Sequence, residues 1–265
     1  MTEAQQALLD QLTGALATDA RVRSVWLHGS LGRGNGDAWS DVDLAIEVAE
    51  ADRSACLADY TGGRRGLPGL VLARPIFGRI LTAVTPDWGR FDLMFVTPED
   101  LARMDGAAMR LLLGDSSQQP APLAAAVEAG APDRVAALVE EFLRVLGLTP
   151  VAVGREEWLV MQQGTQLLRQ MLVDLMLEES GFGSPAVRGG VKRLNPFLTG
   201  EQRAVLEALD PPPAHRDALL AASAHISRLF LARARPLADR LGATWPDAFE
   251  AATRRHLRQD LGLEI

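Results

Sequence analysis

The chain has 265 residues, 48% hydrophobic and 23% charged, an ordinary globular mixture that excludes a disordered protein and supplies apolar side chains for one large or two modest cores. A net charge of −7 argues against broad nucleic-acid binding, which needs surplus Lys and Arg facing phosphates. The single cysteine, Cys56, excludes an intrachain disulfide and a cysteine-cluster zinc site, and no apolar run approaches the roughly 18 residues that span a bilayer, so the composition predicts a soluble, cytoplasmic protein with no membrane partner.

In chain order, residues 3–18 repeat apolar positions at three- and four-residue steps and predict an amphipathic helix. Val22 to His28 is rich in β-formers and stops at Gly29; glycines then recur at 32, 34 and 36. A second strand is predicted over Asp41–Val48, a helix over 50–60, and a third strand over Leu70–Arg74. Ile80–Val84 and Phe91–Val96, joined by a turn-forming Thr-Pro-Asp-Trp-Gly-Arg, predict a hairpin. Beyond residue 118 the periodicity becomes helical, with helices predicted at 133–146, 154–179, 200–208, 214–241 and 246–260. The expected fold is an α/β domain with a mixed sheet over residues 1–118, followed by an all-α helical bundle over 119–265 that binds the acceptor.

The chemistry concentrates in Gly29-Ser30, a ten-residue gap, and Asp41-Val42-Asp43. Side chains at i and i+2 of a strand share a face, so Asp41 and Asp43 form an acidic pair, an arrangement that a shared hard divalent cation stabilises. A strand that ends in Gly-Ser and opens into a tight turn exposes backbone N–H groups, which with the Ser30 hydroxyl and Arg33 make a cradle for anionic oxygens. Together these predict a nucleoside triphosphate with Mg²⁺. Asp92, a lone acid in the apolar run Phe91 to Val96, is the candidate third carboxylate and general base. No P-loop and no Gly-x-Gly-x-x-Gly after the strand competes with this reading. His28, His215, His225 and His256 lack metal-ligand spacing and are expected to be packing or surface residues, and Cys56 a buried small hydrophobe.

Gly29-Ser30, the ten-residue gap, Asp41-Val42-Asp43 and the isolated Asp92 resemble the nucleotidyltransferase superfamily that includes DNA polymerase β. Within it the chain looks most like small-molecule antibiotic nucleotidyltransferases, of aminoglycosides or lincosamides, that have a helical C-terminal domain. The resemblance implies Asp41, Asp43 and Asp92 as ligands of two Mg²⁺ ions and a phosphate site at Gly29, Ser30 and Arg33. It further implies transfer of a nucleoside monophosphate, AMP from ATP in the first instance, to a small-molecule hydroxyl with release of pyrophosphate. A looser likeness to streptomycin-type adenylyltransferases lies in Gly190-Val191-Lys192-Arg193-Leu194-Asn195 and in the run from Leu229 to Pro246. It implies that a basic residue of the helical region reaches the triphosphate, and Lys192, the only lysine, is the candidate. The family also often takes a carboxylate from its helical domain; Glu140, Glu141, Glu156, Glu157 and Asp174 are the candidates. The acidic balance favours a cationic acceptor. A protein-modifying nucleotidyltransferase (an AMPylator or toxin–antitoxin partner) and a silent nucleotide-binding module are the alternatives.

Overall fold

The computed structural model of the protein describes residues 1–63, 66–115, 119–122, 130–184 and 193–265. The chain divides into two compact units, Met1–Ala124 and Ala125–Ile265.

In the first unit, helix α1 (Glu3–Ala17) opens on a Thr2 N-cap that forms a reciprocal capping box with Gln5. There follow β1 (Ser24–His28), the short α2 (Gly29–Gly32), β2 (Val42–Glu47), α3 (Glu50–Thr61), β3 (Leu72–Ile76), β4 (Ile80–Val84), β5 (Arg90–Val96), α4 (Pro98–Ala102) and β6 (Arg110–Leu113). The six strands form one mixed sheet in the order β3-β4-β5-β2-β1-β6. The expected hairpin of β4 and β5 is present and antiparallel, whereas β2 and β5 run parallel. Strand β2 begins at Val42, so Asp41 lies one residue outside it. Pro75 sits in β3, an edge strand, where a missing N–H can face away from the ladder. The sequence reading contains neither α4 nor β6; both are too short to establish a periodicity.

Alternation along the strands separates two faces. Val25, Leu27, Val42, Leu44, Ile46, Leu81, Phe91, Leu93 and Phe95 point to one side. They are buried beneath Leu9, Leu12 and Leu16 of α1 and Cys56, Leu57 and Tyr60 of α3. Burial of each large side chain contributes about 1.5–3 kcal/mol. Cys56 is fully buried there, and desolvation pushes its thiol up to about 11, so it is the small inert hydrophobe expected. The opposite face is apolar only at one end, where Trp26, Ala45 and Val96 meet Leu101 and Met109. At its margin Trp26 Nε1 donates to Ser24 Oγ at 2.8 Å and Ser24 Oγ donates to Glu47 Oε2 at 2.6 Å, which gives a buried glutamate a partner.

The second unit is helical: α5 (Pro132–Leu146), α6 (Thr149–Gly154), α7 (Trp158–Glu179), α8 (Gly200–Glu207), α9 (Arg216–Leu241) and α10 (Asp247–Leu261). The helix predicted over 154–179 begins only at Trp158: Gly154 closes α6, which the sequence reading does not contain, and Arg155, Glu156 and Glu157 separate the two helices, Glu156 with a left-handed φ of 56°. The expected apolar stripe of α7 is largely internal. Met161, Leu168, Met171, Leu172 and Leu175 are buried, while Trp158 is only partly so. Phe142 of α5 and Phe230 of α9 stack at the centre, ring centroids 3.8 Å apart and planes 6° from parallel. Glu178 is buried and carries an ion pair to Arg134, whose Nε lies 2.6 Å from its Oε1. No helix among the described residues is long and apolar enough to cross a membrane.

Because Phe230 is fully buried and faces Phe142 directly, Phe230→Ala is expected to lower unfolding stability by about 3–5 kcal/mol in chemical denaturation. A loss below 1 kcal/mol would show that the helical core is centred elsewhere.

Candidate active site

The polar part of the second sheet face is set by register. Asp43 of β2 lies opposite Asp92 of β5 on one side and opposite His28 of β1 on the other; Thr82 of β4 lies opposite Asp92, and Arg74 of β3 opposite Thr82. Directly opposed residues point to the same face, so His28, Asp43, Asp92, Thr82 and Arg74 form one polar rung across five strands. Neighbouring strands are about 4.8 Å apart, which sets Asp43 and Asp92 at a separation where two oxygen ligands can share a cation.

Between β1 and β2 the chain turns sharply. Gly29 has φ +64°, and a Cβ built on it would meet Asp43 Oδ2 at 2.0 Å. The Asp43 carboxylate therefore rests against the bare backbone of the Gly-Ser turn. Gly32 is also required, since a Cβ there would run into the backbone carbonyl oxygens of Ala108 and Leu27 at 2.5 and 2.6 Å. The turn closes through Arg33 N–H donating to the Gly29 carbonyl at 3.1 Å and Asn35 N–H donating to the Ser30 carbonyl at 3.1 Å. First-turn amides of a helix have no intrahelical acceptors, so α2 leaves N–H groups beside the Ser30 hydroxyl. Arg33 is the C-cap of α2 and exposed.

Asp41 lies two residues from Asp43, and its charge acts on His28. Among the described residues no group of three or more His, Cys, Asp and Glu side chains is gathered tightly enough to hold a metal ion. The donor set is nonetheless of the hard-oxygen type that Mg²⁺ takes, with two of the three carboxylates in register and the third one residue outside the strand. Lys192 lies outside the described residues. The helical-unit candidates lie on separate segments: Glu140 and Glu141 are on α5, Glu141 ion-paired with Arg144; Glu156 and Glu157 lie between helices; Asp174 is on α7.

His28 is a residue of this site that the sequence reading set aside. Its Nε2 is buried with no hydrogen-bond partner. Desolvation, aided by the Arg33 charge and opposed by Asp41, lowers its pKa from 6.5 to about 4. The signal in the sequence is its place as the last strand residue before Gly29. His215, His225 and His256 are exposed, in line with expectation.

Comparison with known proteins finds a likeness in the N-terminal part. Residues 9–74 match the family model described as a nucleotidyltransferase domain, a span that includes Gly29, Ser30, Asp41 and Asp43 and ends before Asp92. The matched residues lie wholly within the first unit. Over that stretch the chain is similar to nucleotidyltransferase domains, the superfamily that the motif resembles. Among solved structures, the crystal structure of an aminoglycoside 6-adenyltransferase from Bacillus subtilis is similar at 15% identity, with 96% of this chain and 98% of that chain covered and a TM-score of 0.43. No curated protein matches.

Two outcomes follow from the turn. Gly29→Ala combines a left-handed backbone with a collision against Asp43, whereas Gly34→Ala has a similar φ of +74° and open space around it. Each should lose about 1–2 kcal/mol for the backbone, but only Gly29→Ala should also lose turnover. Equal turnover in the two variants would separate Asp43 from the chemistry. For His28 the folded pKa lies below the unfolded one, so the unfolded chain binds the proton first as pH falls. Stability is fully present above about pH 6.5 and declines toward pH 4, by up to about 3 kcal/mol. In chelator-treated protein, His28→Gln should flatten that part of the denaturation profile; an unchanged slope would place His28 in solvent.

Proposed function

We propose that the protein transfers a nucleoside monophosphate, AMP from ATP in the first instance, to a hydroxyl of a small cationic acceptor such as an aminoglycoside or a lincosamide. The observation that carries the proposal is the register of Asp43 with Asp92 beside a glycine turn whose backbone the Asp43 carboxylate touches. The net charge of −7 supports a cationic acceptor by raising its local concentration.

In this reading the acceptor oxygen attacks the α-phosphorus in line, forms a new phosphate ester and breaks the bond to the departing pyrophosphate. Asp41, Asp43 and Asp92 hold Mg²⁺, and the chemistry the metal supplies when bound is acidification of the attacking hydroxyl and charge stabilisation on the leaving group. The backbone N–H groups of Gly29 and Ser30, the Ser30 hydroxyl and Arg33 bind the β- and γ-phosphates. Asp92, in the middle of the polar rung, accepts the acceptor's proton. The neutral imidazole of His28 adds no positive charge beside the two carboxylates.

The test is incubation of the purified chain with α-labelled ATP, Mg²⁺ and a panel of aminoglycosides and lincosamides, with pyrophosphate release followed in parallel. Release that depends on an added acceptor is expected. Label on a protein band instead would support a protein-modifying enzyme, and nucleotide binding without turnover would support a silent module. Asp41→Asn, Asp43→Asn and Asp92→Asn should each lower turnover by about 10²-fold or more with the fold intact, the scale of losing a group that stabilises transition-state charge. A variant with near-native rate would remove that residue from the site.

A further inference from the structure

The loop that leads into Asp41 is fixed from outside by two side chains. Gln5 lies on α1 at the head of the stripe Gln5, Leu9, Leu12, Leu16, all buried against the sheet. A leucine would continue that stripe, yet position 5 holds an amide that is only 8% exposed. The amide is fully used: Oε1 accepts from the Thr2 N–H at 2.7 Å, and Nε2 donates to the carbonyls of Asp37 and Ser40, both at 2.8 Å. Within the loop, Asp37 Oδ1 accepts from the Trp39 N–H at 3.0 Å, and Ser40 Oγ accepts from the Asp37 N–H at 3.0 Å. Arg90, at the start of β5, donates to the Trp39 carbonyl. The carbonyls of residues 37, 39 and 40 are therefore held by α1 and β5, and the next residue is Asp41.

We infer that Gln5 is a positioning residue for Asp41: its two N–H groups set the loop from which that carboxylate projects, and Arg90 holds the same loop from the β5 side. This inference rests on the reading of Asp41 as a metal-binding carboxylate. Outer groups that orient a ligand change metal affinity without touching the ion, typically by about 10- to 100-fold.

The test is calorimetric titration of the full chain with Mn²⁺ alone, accompanied by thermal unfolding. Gln5→Leu keeps the apolar stripe and deletes both donors; Gln5→Glu keeps the acceptor for Thr2 and turns a carboxylate toward two carbonyl oxygens. Both should weaken Mn²⁺ binding by about tenfold or more. Leu12→Val trims the same helix face, leaves the amide untouched, and should bind within twofold of wild type. Mn²⁺ affinity within twofold of wild type in the Gln5 variants, or an equal loss in Leu12→Val, overturns the inference. If the Gln5 variants do not fold, Arg90→Met decides: weaker Mn²⁺ binding supports the clamp and unchanged binding overturns it. Asp41→Asn distinguishes this from failure of the underlying reading. Loss of Mn²⁺ binding there with unaltered Gln5 and Arg90 variants rejects only the clamp, whereas wild-type binding in Asp41→Asn, or none in the native chain, rejects the metal site and the clamp together.

Discussion

Two like charges held opposite each other on adjacent strands form the constraint around which the first unit is arranged. The pairing of Asp43 with Asp92 belongs to the parallel contact of β2 with β5, inside a sheet whose other described pairings are antiparallel. Directly opposed carboxylates repel, and such a pair is destabilising unless positive charge or hydrogen-bond donors converge on it. The large core on the reverse face is what holds the pair in place. Val42, Leu44, Phe91 and Leu93, the sequence neighbours of the two acids, are buried under α1 and α3. A one-residue slip of either strand would move its aspartate into that core, so burial of one face fixes the register of the other.

The turn between β1 and β2 is constrained by space as much as by conformation. Gly29 leaves room for Asp43, and Gly32 leaves room for two backbone carbonyls. This brings Asp43 and the backbone of the Gly29-Ser30 turn together from residues close in sequence, whereas Asp92 reaches Asp43 only through the pairing of β2 with the distant β5. The helical unit has a core of its own around Phe142 and Phe230.

Much of this was legible in the sequence because it is local. The Gly29-Ser30 and Asp41-Val42-Asp43 spacing, the β4–β5 hairpin and the mixed sheet followed by helices all arise from patterns within about twenty residues of one another. What was not legible depends on partners distant in the chain. Asp92 was named from its lone charge in an apolar run and from the family resemblance, but its direct opposition to Asp43 is a matter of strand order, which periodicity does not encode. Gln5 reads as one polar residue near a helix start, and its role appears only when residues 37 and 40 fold back onto it. The break before α7 escaped because Gly154 reads as the start of the long helix rather than as the end of a short one, and the left-handed Glu156 that separates the two helices carries no turn-forming side chain. His28 was dismissed for lack of ligand spacing, although its position at the strand end, next to a buried polar environment, is what matters.

The first turn of a helix ordinarily frays at little cost. Here the Thr2–Gln5 capping box shares the Gln5 amide with the loop before Asp41. Local opening of that turn and release of the loop are thus a single event, of lower free energy than global unfolding. On gentle heating the loop before Asp41 should loosen while the sheet is still whole, with that sensitivity set in the first turn of α1 rather than in the largest core.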